Sequence, residues 1–265
     1  MNRLFLSNKW WPFIFVFTST VHAEVNENQW PLIQESYFSN RQVFVSDFLK
    51  ISAPKGAENS SQVPVSIYLK NQKAHPVKHL YLIVDANPIP LVAEYVFPHL
   101  FAELKLSTRI RMEGDSNVRL IAEDEDGKLW MAATRVNAGG GCAGNISDDE
   151  SEARVNAGKI KFQKNSPYKF NQVASATLQI KHPMYTGLQY DSKTKDKRKA
   201  FFIKKAQILL NESSIFLVNF GLGTAENPYI KFEYDLPENF LVHSHESLVI
   251  QHEDNEGRVL EEIIE

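Results

Sequence analysis

The sharpest shortage in this sequence is cysteine, with one among 265 residues. A disulfide within the chain is therefore excluded. Charge of one sign is also missing: 29 Lys and Arg face 32 Asp and Glu, a formal net charge of −3, and a nucleic-acid binder would need a basic excess. After the first residues no apolar run reaches eighteen, which leaves no transmembrane helix in the body of the chain. Between about Gln42 and Val136 no long amphipathic helical pattern interrupts the sequence. What remains is a soluble chain with ordinary apolar content and enough length for two domains of about 100 residues.

The N-terminus carries an address. Arg3 and Lys9 precede the apolar run Trp10 to Phe17, and Val21-His22-Ala23 supplies small residues for a signal peptidase. Residues 1–23 read as a cleaved secretory signal, with export and no membrane contact after cleavage.

The rest is strand grammar. Val63 to Leu69, His79 to Val84 and Val118 to Ala122 are short strand-like runs, and Asp126-Gly127 marks a hairpin between residues 118–123 and 129–136. From about Gln172 the grammar repeats over Ala176–Ile180, Ala206–Leu210, Ser214–Val218 and Tyr229–Tyr234. The fold class expected is all-β: two β-sandwiches over residues 24–136 and 172–265, joined by an arm and linker over 137–171. A shared turn supports duplication, since Glu123 to Leu129 matches Glu253 to Val259, and Asn87-Pro88 and Asn227-Pro228 each open a strand. Within the linker, Ser147-Asp148-Asp149-Glu150 fits a helix capping box and Gly158 fits the residue past the helix end.

The solitary Cys142 sits in Asn137-Ala138-Gly139-Gly140-Gly141-Cys142-Ala143-Gly144. Gly139, Gly140, Gly141 and Gly144 cannot build a core around a thiol, and they supply backbone freedom, so the sulfur is expected at the surface on a loose arm. A catalytic cysteine needs a nearby base, cation or helix N-terminus, whereas the charges close to Cys142 are acidic. The pattern points to a thiol activated by its partners, a covalent attachment point with no catalytic residue beside it. A cysteine hydrolase with a distant histidine, a metal held by His243 and His245, and a docking role for the basic cluster Lys193 to Lys205 are weaker alternatives. Cofactors and metals are not called for.

At this point the residues resemble a known family. Val84-Asp85-Ala86-Asn87-Pro88, Ser107-Thr108-Arg109-Ile110-Arg111, Asp126-Gly127-Lys128-Leu129 and Gly140-Gly141-Cys142 look like SoxY. His182-Pro183-Met184-Tyr185-Thr186-Gly187-Leu188 and Asn227-Pro228-Tyr229 look like SoxZ. The chain thus resembles a fusion of the two subunits of the periplasmic sulfur carrier of thiosulfate oxidation. The resemblance implies an immunoglobulin-like sandwich for each half and a non-enzymatic carrier bearing sulfur intermediates on Cys142, a monomer in which the SoxY-like and SoxZ-like halves pair with each other. Implied partners are periplasmic sulfur-oxidation proteins or redox proteins linked to quinoprotein dehydrogenases. The arm departs from SoxY in being tethered at both ends, with Ala143 in place of a glycine. A second reading makes the chain an accessory module for a quinoprotein dehydrogenase, with Cys142 secondary.

Overall fold

A computed structural model of the chain describes residues 29–70, 74–99, 101, 103–139, 150–166, 173–191, 194–235 and 247–264. The segment read as a secretory signal, residues 1–23, lies outside them. The first half holds helix α1 (Trp30–Phe38) and strands β1 (Val43–Val45), β2 (Leu49–Ser52), β3 (Val63–Lys70), β4 (Val77–Val84), β5 (Leu91–Val96), β6 (Glu103–Ile110), β7 (Ser116–Asp124) and β8 (Leu129–Val136). Helix α2 (Glu150–Val155) and strand β9 (Ile160–Ser166) come next, then β10 (Val173–Ile180), β11 (Ile203–Leu210), β12 (Ser213–Phe220), β13 (Tyr229–Asp235), β14 (Leu248–Asp254) and β15 (Val259–Ile264).

Period-2 alternation builds most of these strands. In β3, Val63, Val65, Ile67 and Leu69 point inward while Pro64, Ser66 and Lys70 face water. Pro64 is tolerated because β2 pairs only with Ser66 to Leu69, so β3 has β6 alone beside it at that position. The runs in β4 and β7 are more continuous because both their faces are covered. Ile33 and Phe38 of α1 lie on Ile83, Ile121 and Leu129, on the side of the sheet away from the main core.

The strands form two sheets, ordered β1-β8-β7-β4-β5-β12-β11-β14-β15 and β2-β3-β6-β13-β10-β9. Both orders reverse about their middle. The run β8-β7-β4-β5 in the first half is answered by β15-β14-β11-β12 in the second, and β2-β3-β6 by β9-β10-β13. This is the duplication expected from the sequence, arranged about an approximate two-fold axis. The shared turn holds in detail. Asp124 Oδ1 accepts the N–H groups of Asp126 and Lys128, and Asp254 Oδ1 accepts those of Glu256 and Arg258, with Gly127 and Gly257 at φ of 75° and 84°. The two Asn-Pro pairs do not correspond: Asn87-Pro88 lies between β4 and β5, whereas Asn227-Pro228 precedes β13, whose counterpart is β6.

The structure goes beyond the expected layout in two places. First, the halves are joined by far more than a linker, because β5 pairs with β12 and β6 with β13, both antiparallel, so each sheet runs through from one half to the other. One hydrophobic core fills both halves, and Phe216 stacks between Tyr95, at 5.8 Å, and Phe232, at 5.7 Å. Side chains tie the junction as well: Asn219 Nδ2 donates to Glu94 Oε2 at 2.8 Å, Thr224 Oγ1 to Val92 O at 2.9 Å, and Thr108 Oγ1 to Tyr229 O at 2.9 Å. Secondly, residues 160–166, assigned to the linker, form β9, which pairs with β10 as an edge of the smaller sheet.

Candidate functional site

The candidate site is described by its two feet, because Gly140, Gly141, Cys142 and Gly144 lie outside the described residues. On the outgoing side the β7–β8 hairpin delivers the chain to the arm. Val136 and Ala138 are buried, and Asn137 between them is clamped by backbone: its N–H donates to Lys55 O at 2.8 Å, and Ala57 N–H donates to its carbonyl at 2.8 Å. Beyond this clamp Gly139 is exposed. A Cβ added there would meet nothing within 4 Å, and its φ lies outside the left-handed region, so its own surroundings do not require glycine.

The returning foot is α2, the short helix expected before Gly158. The capping residues Ser147, Asp148 and Asp149 lie outside the described residues. Glu150 accepts from Arg154 Nε at 2.9 Å one turn on, and Arg154 also pairs with Glu256 at 3.2 Å while its guanidinium stands 4.2 Å from the centre of the Phe201 ring. Gly158, at φ 94°, ends the helix, and a Cβ there would strike the Leu260 side chain. Its N–H donates to Lys181 O at 2.7 Å, and its carbonyl faces His252 Nε2 at 3.0 Å. Burial lowers the His252 pKa, and the neutral ring can donate from Nε2 to that carbonyl.

His182 lies next to this foot, 1% exposed and 4.3 Å from Phe201 by ring centres. Burial pushes its pKa down to about 3. Met184 N–H donates to its Nδ1 at 3.2 Å, which puts the proton of the neutral ring on Nε2, and Nε2 has no partner among the described residues. With Met184 at φ 52° and Tyr185 bridged to Phe201, the His182 segment is a structural knot under α2.

Other expected features disperse. His243 and His245 lie outside the described residues, and among those described no group of three His, Cys, Asp or Glu could hold a metal. His75 stacks on Phe48 at 4.1 Å, and His79 pairs with Glu94 at 2.8 Å. The basic cluster is not one face: Arg198 is buried against Asp191 at 2.9 Å, and Lys199 and Lys204 pair with Glu256 and Glu253. Lys193 lies outside the described residues. Arg154, Phe201 and His252, which fasten the returning foot, carry no local sequence signal that could have singled them out.

Comparison with known proteins settles the family. The model for the sulfur oxidation protein SoxY matches residues 34–142, ending on Cys142, and that for the sulphur oxidation protein SoxZ matches residues 160–264. The chain is a SoxY–SoxZ fusion. This fusion therefore belongs to the sulfur oxidation proteins. Among solved structures, the sulfur carrier protein SoxY from Chlorobium limicola f thiosulfatophilum is 24% identical, over 40% of this chain and 87% of that one, with a TM-score of 0.34. A superoxide reductase (neelaredoxin) from Ignicoccus hospitalis is 15% identical over 34% of this chain and 79% of its own, with a TM-score of 0.27. The family matches carry the assignment; these structural likenesses add nothing to it. A search of curated proteins finds no match.

Proposed function

We propose that the SoxY–SoxZ fusion is an exported, periplasmic, non-enzymatic carrier that holds a sulfur-containing intermediate covalently on Cys142 and presents it to partner enzymes. The observation that supports this most is the placement of the only cysteine: the SoxY match ends on it, and the chain on either side is anchored by the Asn137 clamp and by α2. An attachment point needs such anchorage with glycine freedom between, whereas a nucleophile of the chain's own would need a held geometry. The thiosulfate case fixes what a loading partner must do. Joining the Cys142 sulfur to the outer sulfur of thiosulfate forms one S–S bond and releases the thiol proton and two electrons. The loading enzyme must accept those electrons, so it is a redox protein.

A Cys142→Ser chain in cells whose growth depends on the fusion tests the proposal. Loss of function with normal protein levels is expected. Full function with serine at 142 would overturn it and leave the accessory-module reading in its place.

A further inference from the structure

The outer face of the smaller sheet carries a trough that crosses both halves. Strand register lines up Ser52, Ser66, Ser107, Lys231 and Thr177 as one row across β2, β3, β6, β13 and β10. Small side chains make the row low: Ser66 and Ser107 touch through their hydroxyls at 3.3 Å. Two residues along each strand, the parallel row Lys50, Tyr68, Lys105 and Glu233 stands taller and forms a wall. The groove between holds about 430 Å³, and four strands at about 4.8 Å spacing give it a length of about 14 Å. Its lining includes Tyr68 and the three lysines Lys50, Lys105 and Lys231, whose stems can cover apolar surface while their ammonium groups stay in water.

Charge in the trough is lopsided. Lys105 and Lys231 share one carboxylate, Glu233, at 3.3 Å each, and Lys50 has no ion-pair partner among the described residues. Arg109, beyond the low row, adds a fourth cation over the Tyr229 ring at 4.9 Å, and Glu103, past the wall, is hydrogen-bonded to the Tyr68 hydroxyl. Position matters too. Ser52, at the trough's end, is three residues from Lys55, whose carbonyl holds the Asn137 clamp, so trough and arm foot lie at most about 10 Å apart along the chain. The trough also depends on the junction between halves, since Lys231 and Glu233 come from β13 and the rest from β2, β3 and β6.

We propose that this trough is a docking site for an acidic loop of a partner enzyme that works on the arm, with loop carboxylates on Lys50, Lys105 and Lys231 and an apolar side chain along Tyr68. The inference rests on the carrier reading for the identity of the partner, but the trough's preference for acidic chains is measurable without it. Complementary charge of this kind orients an encounter and speeds it, and it is screened by salt.

The test titrates the peptide acetyl-Glu-Glu-Phe-Glu-Glu-amide into ¹⁵N-labelled mature chain carrying Cys142→Ser, tracking backbone amides by NMR. Saturable shifts are expected at residues 50–52, 66–68, 105–107 and 231–233, weakening with salt and absent with acetyl-Lys-Lys-Phe-Lys-Lys-amide. Lys105→Glu with Lys231→Glu should weaken binding about tenfold or more, while Lys159→Glu with Lys161→Glu, an equal charge change on the β9 edge, should not. If the double trough variant unfolds, Lys50→Ala, which breaks no pair, should still weaken binding about threefold. Shifts centred on Lys159, Lys161 and Lys181, binding indifferent to the trough variants, or a trough covered by a second copy of the chain would each overturn the proposal. Because the titrated protein lacks the thiol, a negative result leaves the carrier reading standing, and a missing cargo on Cys142 leaves the trough standing.

Discussion

Gly221 lies just after β12, in the second half, and its packing partner belongs to the first. Its N–H donates to Val92 O at 2.7 Å, and a Cβ added to it would fall inside contact distance of the Leu91 carbonyl oxygen, with the Val92 oxygen at 3.1 Å. Backbone on backbone cannot relax as a flexible side chain would, so Gly221→Ala must push β12 away from β5. Overpacking costs about 1–3 kcal/mol, and a weakened junction hydrogen bond adds about 1 kcal/mol, for a total of about 2–4 kcal/mol. With a urea slope of about 3 kcal/mol/M the unfolding midpoint should fall by about 1 M. The tryptophans make the assay selective. A chain starting at Glu24 has two tryptophans, Trp30 and Trp130, and both lie in the first half. Tryptophan fluorescence thus reports the first half alone, while far-UV circular dichroism reports both. A continuous core predicts that Gly221→Ala lowers both midpoints together by the same amount. A fluorescence transition that stays where it was while the dichroism curve splits would refute the shared sheets.

Single residues give three further expected outcomes. Gly158→Ala combines a left-handed φ with a collision at Leu260 and should lower stability by about 2–3 kcal/mol, measured by thermal denaturation. Asp124→Ala and Asp254→Ala each strand two turn N–H groups and one side-chain donor, Trp130 Nε1 or Arg258 Nε, so each should cost about 2–3 kcal/mol by urea unfolding. His182, with its pKa down at about 3 in the folded chain against about 6.5 unfolded, is protonated first in the unfolded state. Its contribution is complete above about pH 6.5 and is lost as pH falls toward about 3, by about 1.4 kcal/mol per pH unit through the middle of that window. The His252 pKa is lowered too and acts in the same direction. His182→Phe should therefore flatten the stability profile between about pH 6 and 4 while lowering stability at about pH 8, where the Met184 N–H loses its acceptor.

The strands were legible because alternation such as Val63, Val65, Ile67, Leu69 has no helical reading, and the hairpins because Asp-Gly and Glu-Gly turns need a left-handed glycine. α2 was legible in its ending at Gly158. Other elements were not. α1 carries Pro31 near its start but no acidic first turn, and only Ile33 and Phe38 of it are buried, too thin a stripe to stand out. β9 alternates, but with Lys161, Gln163 and Asn165 on its polar face and little burial on the other it passes for a linker. The junction between halves was hidden for a general reason: pairing of β5 with β12 and β6 with β13 uses backbone groups, which every residue has. The repeated Asn-Pro misled because the same dipeptide satisfies two different turns. The trough was invisible because it is a cross-strand row, assembled only once the register of four strands is known. The proposed attachment point is the reverse case, since its solitary cysteine and glycines are read entirely from the sequence.

The most direct measurement is the intact mass of the mature chain taken from the periplasm of cells oxidising reduced sulfur, before and after reduction. The account predicts a species heavier by a sulfur-containing group, such as S₂O₃ replacing the thiol hydrogen, located on Cys142 by peptide mapping and removed by reductant. A chain that carries only a free thiol under those conditions, or bears its sulfur adduct anywhere other than Cys142, would contradict it.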